Sequence, residues 1–279
     1  MVLQQPGQVL RRAGVVGDPA AHSLSPAIHR AGYQLFGLDW AYDAYTVSPA
    51  DLAGFVNERL GDPVWAGLSV TAPHKEAILE FGEADEPTRL VGGGNTLIFG
   101  DGPRIHNTDV PGFVGAWRAH GLAAPRSAAI LGNGATARSI VLALAGLGTR
   151  ELTVLARRPE RAAPLLELAG ALGLQAEARP LTDAIEPVDL VASTIPAEAA
   201  APHATALADA AGTVFDVVYD PWPTPLTAAA EAAGRPVLNG LDLLAGQAVD
   251  QFFLLTGRKV TFEQCRSAAG RELRARAAL

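Results

Sequence analysis

The chain has 279 residues, of which 49% are hydrophobic, so it is long enough for two domains that each bury a core. A formal net charge of −7 disfavours nucleic acid and anionic membranes as partners. The single cysteine, Cys265, excludes an internal disulfide and indicates a reducing cytoplasm. Met1 to Gln8 contain no signal-peptide core, no apolar run suits a membrane helix, and the six histidines lack paired metal spacing. We therefore expect a cytoplasmic protein without a membrane segment or metal.

The first part of the chain alternates strand-like and helix-like segments. We predict strands at 10–16, 42–47 and 64–70, each followed by a helix, at 26–36, 49–60 and 73–81. Ser25 is the expected N-cap of the first helix, with Pro26 as its first residue. Residues 94–106 are expected to form a hairpin around Gly100-Asp101-Gly102. This order predicts an α/β domain with a mostly parallel sheet.

A second α/β unit is predicted between residues 126 and 237. Residues 109–120 are expected to form the helix that enters it, and 188–193 and 213–218 two of its strands. An alanine-rich stretch, 197–211, is expected to be helical, as are 240–255 and 262–276. The last two helices follow the final strand of this unit, so we expect the chain to return to the first domain. The predicted division is 1–109 with 239–279, and 110–238.

A glycine motif opens this second unit. The apolar run before Gly132-Asn133-Gly134-Ala135-Thr136-Ala137 matches G-x-G-x-x-A, and a helical pattern follows it. Such a turn brings backbone amides and a helix N-terminus against a dinucleotide pyrophosphate. The next strand ends in Arg157, Arg158 and Arg161, where an acidic residue would select NAD. Arginines there instead suit the 2′-phosphate of NADP, so we predict a Rossmann-like NADP-binding domain.

Polar clusters follow the strands of the first domain. They are 22–26 (HSLSP), 69–75 (SVTAPHK), 94–96 (GNT) and 107–109 (NTD). Strand ends of open α/β sheets are where ligands bind. Hydroxyls, amides, one ammonium and one carboxylate suit a small polyhydroxylated acid. A lysine such as Lys75 is usually a solvated surface residue, and an aspartate such as Asp109 is often only a helix cap. A functional role for either residue is therefore indicated only by its occurrence together with the other clusters.

These motifs together resemble the shikimate dehydrogenase family. Eight segments occur in the family's order: the four clusters above, the glycine turn at 132–137, the arginines of 157–161, DVVYDPWPTPL at 216–226, and Gly246-Gln247. The resemblance spans nearly the whole chain. It implies NADP-dependent, reversible reduction of 3-dehydroshikimate to shikimate in chorismate and aromatic amino acid biosynthesis, by a monomer or homodimer.

The resemblance also implies roles for individual residues. Lys75 and Asp109 would be the catalytic pair, and Ser23 and Ser25 would hold the substrate carboxylate near Tyr219. The ring hydroxyls would be bound by Thr71, Asn95 and Gln247. The cofactor would be bound by Gly132, Asn133, Gly134, Ala135, Arg157, Arg158, Arg161, Thr194 and Leu243.

The chain departs from the family pattern at a few positions. Ser69 stands where Asn is usual and Val110 where Gly is usual, and neither change removes a charge that the chemistry requires. The same scaffold leaves open a quinate/shikimate or aminoshikimate dehydrogenase, although relatives that accept quinate well often carry Thr at the position of Ser25. A non-catalytic NADP-binding sensor is a further alternative, and the presence of both Lys75 and Asp109 argues against it.

Overall fold

The computed structural model describes residues 10–278, which form two compact α/β units. Within that range, unit 1 contains residues 10–108 and 244–278, and unit 2 contains residues 109–243. The predicted boundaries differ from these by one residue at the first crossing and by five at the second. The observations made on Met1 to Gln8 lie outside the described residues.

Unit 1 is built on a six-stranded mixed sheet. The strands are β1 Arg11–Gly17, β2 Trp40–Thr46, β3 Trp65–Val70, β4 Glu83–Ala84, β5 Thr96–Ile98 and β6 Arg104–His106. They are arranged in the order β2-β1-β3-β5-β6-β4. Strand β1 is parallel to β2 and β3, and β4 is parallel to β6, whereas β5 is antiparallel to both β3 and β6. The antiparallel β5–β6 pair confirms the predicted hairpin.

Three helices of unit 1 come from its first segment, and two longer helices end the chain. They are α1 Ser25–Phe36, α2 Leu52–Leu60, α3 Glu86–Val91, α10 Gly240–Thr256 and α11 Phe262–Ala277. Helix α11 starts with a reciprocal capping box between Thr261 and Gln264 and packs against α1. One face of the sheet buries a core around Val16, Leu68 and Ile105. The return of the chain to unit 1 is thus fixed by helix packing.

Two details of the first segment differ from the sequence expectation. Helix α1 begins at Ser25, so Leu24 rather than Ser25 is its N-cap, and the Ser23 hydroxyl accepts a hydrogen bond from the Ser25 amide at 3.2 Å. The predicted helix at 73–81 is wrong: it is a turn followed by a five-residue 3₁₀ helix, Ala77–Phe81. The Lys75 carbonyl accepts from the Gly94 amide at 2.7 Å, which diverts it from the bond that an α-helix would require.

Unit 2 is built on a six-stranded, wholly parallel sheet. Its strands are β7 Ser127–Leu131, β8 Glu151–Ala156, β9 Gln175–Pro180, β10 Val188–Ser193, β11 Ala211–Asp216 and β12 Val237–Asn239. They are arranged in the order β12-β11-β10-β7-β8-β9. This is the Rossmann strand order, in which the direction of winding reverses between β7 and β10. Strands β4, β9 and β12 were not predicted from the sequence.

Helices cover the faces of the unit 2 sheet. They are α4 Asp109–Ala119, α5 Ala135–Leu147, α6 Ala163–Ala171, α7 Ala197–Ala200, α8 Ala204–Ala210 and α9 Pro225–Ala232. A core on one face contains Leu131, Leu155, Val191 and Val214 with residues of α8 and α9. Phe113 of α4 packs edge-on against Phe215, with the ring centroids 5.3 Å apart. Among residues 10–278, no helix is both long enough and apolar enough to cross a bilayer.

Candidate functional site

The glycine turn of unit 2 follows β7, next to the point between β7 and β10 where the direction of winding of the sheet reverses. Gly132 directly follows β7 and adopts a φ of +101°, and Gly134 is the N-cap of α5. A Cβ at Gly132 would lie 2.5 Å from the Thr194 hydroxyl, which itself donates to the Leu131 carbonyl at 2.8 Å. Only glycine satisfies both the positive φ and this close approach. Asn133 and Ala135 complete a turn that presents the N-terminus of α5, a ready site for a pyrophosphate.

A cleft of about 700 Å³ opens beside this turn. Arg157 and Arg158 line it from the end of β8, and Arg161 lines it from the following 3₁₀ helix; all three are exposed. The cleft therefore combines glycine backbone with three cations at one end of the sheet. His203 also lines this cleft and was not predicted from the sequence. This arrangement fits an anionic dinucleotide with a further phosphate near the arginines.

Other residues assigned to unit 2 lie on its strand ends and connecting segments. Asp109 is the buried first residue of α4, and Leu243 is buried in the first turn of α10. Tyr219 follows β11 in a loop held by Asp216, which accepts from the Val218 amide at 3.1 Å and the Thr224 hydroxyl at 2.7 Å. Burial raises the pKa of the Asp216 carboxyl, and the Thr224 bond works in the opposite direction.

The polar centre of unit 1 forms around Asn95, which is buried just before β5. Its side-chain oxygen accepts from the Thr108 amide at 2.8 Å, the Thr108 hydroxyl at 3.1 Å and the Thr96 hydroxyl at 3.1 Å. Its amide nitrogen donates to the Gln247 oxygen at 3.4 Å. Asn95 and Gln247, assigned to the same role, are therefore brought together from positions 152 residues apart.

Asn95 and Gln247 form a donor and acceptor pair suited to a hydroxyl group. The amide nitrogen of Gln247 is bound to the Leu244 carbonyl at 2.9 Å, which leaves its oxygen directed to Asn95 and Thr108. The 3.4 Å contact is long for a hydrogen bond. A ligand hydroxyl could accept from Asn95 and donate to Gln247 in exchange for it.

Thr71 and Lys75 lie on the turn after β3, next to this centre. The Thr71 amide donates to the Val16 carbonyl at 2.9 Å, which ties the turn to β1. The Lys75 carbonyl accepts from Gly94, the neighbour of Asn95 in the chain. Lys75 is half-buried. The backbone of Lys75 is therefore hydrogen-bonded to Gly94, the residue directly before Asn95 of the amide pair.

The serine loop before α1 is fixed by an arginine from the far end of the chain. Arg276 of α11 donates to the carbonyls of His22 at 2.9 Å and Ser23 at 3.2 Å. Ser25 is buried, whereas Ser23 is half-buried. Arg276 was not predicted from the sequence, because no local pattern links it to residues more than 250 positions away.

The Rossmann sheet, glycine turn and arginine cleft define the class of NADP-dependent oxidoreductases. Two family profiles match: "Shikimate dehydrogenase substrate binding domain" over residues 15–97, and "NADP oxidoreductase coenzyme F420-dependent" over residues 127–218. The shikimate dehydrogenase (NADP(+)) of Oleidesulfovibrio alaskensis is 38% identical over 91% of this chain and 92% of that protein. That of Desulfitobacterium hafniense is 36% identical over 93% and 97%.

Solved structures give the same result. Mycobacterium tuberculosis shikimate dehydrogenase matches with a TM-score of 0.85 and 41% identity, covering 94% of this chain and 99% of the other. The shikimate 5-dehydrogenase of Thermus thermophilus, solved in complex with NADP(H) and shikimate, matches with a TM-score of 0.80 and 31% identity, at the same coverage. The chain belongs to the shikimate dehydrogenase family, as its motifs indicated.

Proposed function

We propose that this protein catalyses the reversible, NADPH-dependent reduction of 3-dehydroshikimate to shikimate in chorismate and aromatic amino acid biosynthesis. The observation that carries the proposal is the similarity to NADP(+)-dependent shikimate dehydrogenases over nine-tenths of the chain. The geometry supports it independently, because unit 2 has an arginine-lined cleft beside its glycine turn and unit 1 brings the amides of Asn95 and Gln247 together.

Each unit would bind one of the two reactants. In unit 2 the dinucleotide would lie on the glycine turn, with Arg157, Arg158 and Arg161 on the 2′-phosphate and Thr194 and Leu243 beside it. The substrate carboxylate would be held by Ser23 and Ser25, and Tyr219 is proposed as a further substrate-binding residue. The ring hydroxyls would be bound by Thr71, Asn95 and Gln247. We propose the same division for the domains: unit 1 for substrate and unit 2 for NADP.

Lys75 and Asp109 would perform the proton chemistry. The bound dinucleotide supplies or accepts the hydride at the ring carbon. In reduction, the Lys75 ammonium donates a proton to the ketone oxygen as negative charge develops there; in oxidation, the neutral amine takes the proton from the ring hydroxyl. Asp109 orients the ammonium and holds a neighbouring hydroxyl. Its position supports this role, since it directly follows Thr108, which is hydrogen-bonded to Asn95.

The oligomeric state and the cellular compartment are proposed from fewer observations. Each chain carries every residue proposed for the site, so we propose that it works as a monomer or homodimer. The single cysteine, Cys265, is buried, and burial raises the pKa of its thiol to about 12, so it is not poised for oxidation. We propose that the protein acts in the cytoplasm.

The proposal is tested by following NADPH formation when the purified protein is mixed with shikimate and NADP⁺. We expect shikimate-dependent turnover that Asp109→Asn strongly reduces. Asp209→Asn, on the exposed end of α8, serves as the matched control and should leave the rate unchanged. Absence of turnover in the wild type, with dinucleotide binding intact, would instead support a non-catalytic NADP-binding protein.

A further inference from the structure

A buried hydrogen-bond chain runs behind Asn95 through residues that have no role in the proposed site. Tyr42 donates to Ser69 at 2.6 Å, and Ser69 donates to the Gln251 side-chain oxygen at 3.0 Å. The Gln251 amide nitrogen then donates to the Asn95 carbonyl and the Thr96 hydroxyl, both at 3.0 Å. At most 3% of any of these side chains is exposed. Their bonds therefore form without competition from water.

The hydrogen bonds of this series all run in one donor-to-acceptor direction, from Tyr42 toward Asn95. Tyr42 stays a neutral donor because burial raises its phenol pKa, and its ring stacks on His29 with centroids 4.2 Å apart. The Ser69 hydroxyl uses its proton on Gln251 while it accepts from Tyr42. The Gln251 oxygen thus accepts and its nitrogen donates, so only one orientation of this amide satisfies its neighbours.

This direction passes on to Asn95. The Thr96 hydroxyl accepts a hydrogen bond from the Gln251 amide nitrogen, and it donates its own proton to the Asn95 side-chain oxygen. The Thr108 amide donates to the same oxygen, so both of its lone pairs are used. The Asn95 amide nitrogen is consequently directed to the Gln247 side. Asn95 therefore presents a donor to a ligand, and a flipped side chain would set its NH₂ against two donors, the Thr108 amide and the Thr96 hydroxyl.

We propose that Gln251 and Thr96, supported by Ser69 and Tyr42, are positioning residues that fix Asn95 as a hydrogen-bond donor toward a substrate hydroxyl oxygen. The inference rests on the proposed function, which assigns Asn95 to substrate binding. It also explains Ser69, the departure from the family pattern. Its hydroxyl is committed on both sides to protein partners, so Ser69 acts through Gln251 and not on the substrate.

The test removes one bond of the chain at a time while keeping side-chain volume. Gln251→Met and Thr96→Val remove the amide and the hydroxyl, whereas Thr96→Ser keeps the hydroxyl. Thr88→Val is the matched structural control, because Thr88 is an equally buried threonine of unit 1 whose hydroxyl bonds only the Ile105 carbonyl at 3.4 Å among the contacts described. Steady-state kinetics, calorimetric titration with shikimate and thermal unfolding are measured for all four variants.

We expect Gln251→Met and Thr96→Val to raise both KM and Kd for shikimate by about 3–10-fold, the scale of one net hydrogen bond, with KM for NADP⁺ unchanged. Thr96→Ser should restore wild-type values, and Thr88→Val should lower only Tm. If Gln251→Met does not fold, the comparison of Thr96→Val with Thr96→Ser tests the inference on its own. Wild-type shikimate KM and Kd in folded Thr96→Val would overturn the inference. A wild type without shikimate turnover would contradict the proposed function itself.

Discussion

The arginine cleft of unit 2 gives a quantitative prediction about cofactor choice. Arg157 and Arg161 line the cleft beside the glycine turn, where a 2′-phosphate distinguishes NADP from NAD. A charge-assisted hydrogen bond contributes about 1.5–3 kcal/mol, and because both side chains are exposed to screening water we take the lower end. Each single change to Ala should then lower kcat/KM for NADP⁺ by about 10-fold, and the double change by about 100-fold.

The assay compares kcat/KM for NADP⁺ and NAD⁺ at saturating shikimate and low ionic strength. NAD⁺ lacks the phosphate, so its kcat/KM should change less than about twofold in all three variants. Arg150→Ala is a close control, because Arg150 is an exposed arginine at the opposite end of the same strand, β8. A wild type that prefers NAD⁺, or variants whose NADP⁺-to-NAD⁺ ratio stays at the wild-type value, would refute the reasoning.

Two further predictions concern stability and substrate choice. Burial lowers the pKa of His29 to about 3, with Gln251 acting in the opposite sense, so His29 is neutral in the fold and takes up a proton on unfolding below its usual pKa near 6.5. The contribution of His29 to the free energy of unfolding should therefore fall by about 1.4 kcal/mol per pH unit as the pH drops from about 6 to 3. His29→Phe should flatten the pH dependence measured in urea titrations, and an unchanged pH dependence would contradict the prediction. For quinate, the additional hydroxyl next to the carboxylate would be crowded or unpaired at Ser23 and Ser25, a cost of about 1–3 kcal/mol. We expect kcat/KM for shikimate to exceed that for quinate about 5–150-fold with NADP⁺, and equal values would favour a quinate/shikimate dehydrogenase.

The sequence predicted the elements whose signal is local. Buried strands such as β7 and β10 contain apolar runs, at 128–131 and 190–192, and the glycine turn is marked by residues that need unusual backbone freedom. Strand β9 lies at the edge of its sheet and contains only exposed and half-buried residues, so it has no comparable apolar run. The 3₁₀ helix at Ala77–Phe81 depends on the bond from Gly94 to Lys75, which joins separate segments.

The site divides in the same way. Gly132, the arginines and Lys75 belong to motifs within short windows, so their residue types alone suggested roles. Gln251 is a glutamine inside a long helix, and its value comes from a bond to Ser69 across 182 positions of sequence. The orientation of Asn95 likewise depends on partners from three segments. Such tertiary hydrogen bonds have no periodicity or spacing to reveal them before the fold is known.

The most direct test of the proposed mechanism is the turnover of Lys75→Met with shikimate and NADP⁺. This change keeps most of the side-chain volume and removes the group that would transfer the proton. We expect kcat to fall by about 10²–10⁴-fold, with Tm and calorimetric NADP⁺ binding at wild-type values. Lys259→Met, at an exposed lysine that lies over the ring of Phe253, should keep full activity. Turnover of Lys75→Met within about threefold of the wild type would contradict the assignment of Lys75 as the acid–base residue.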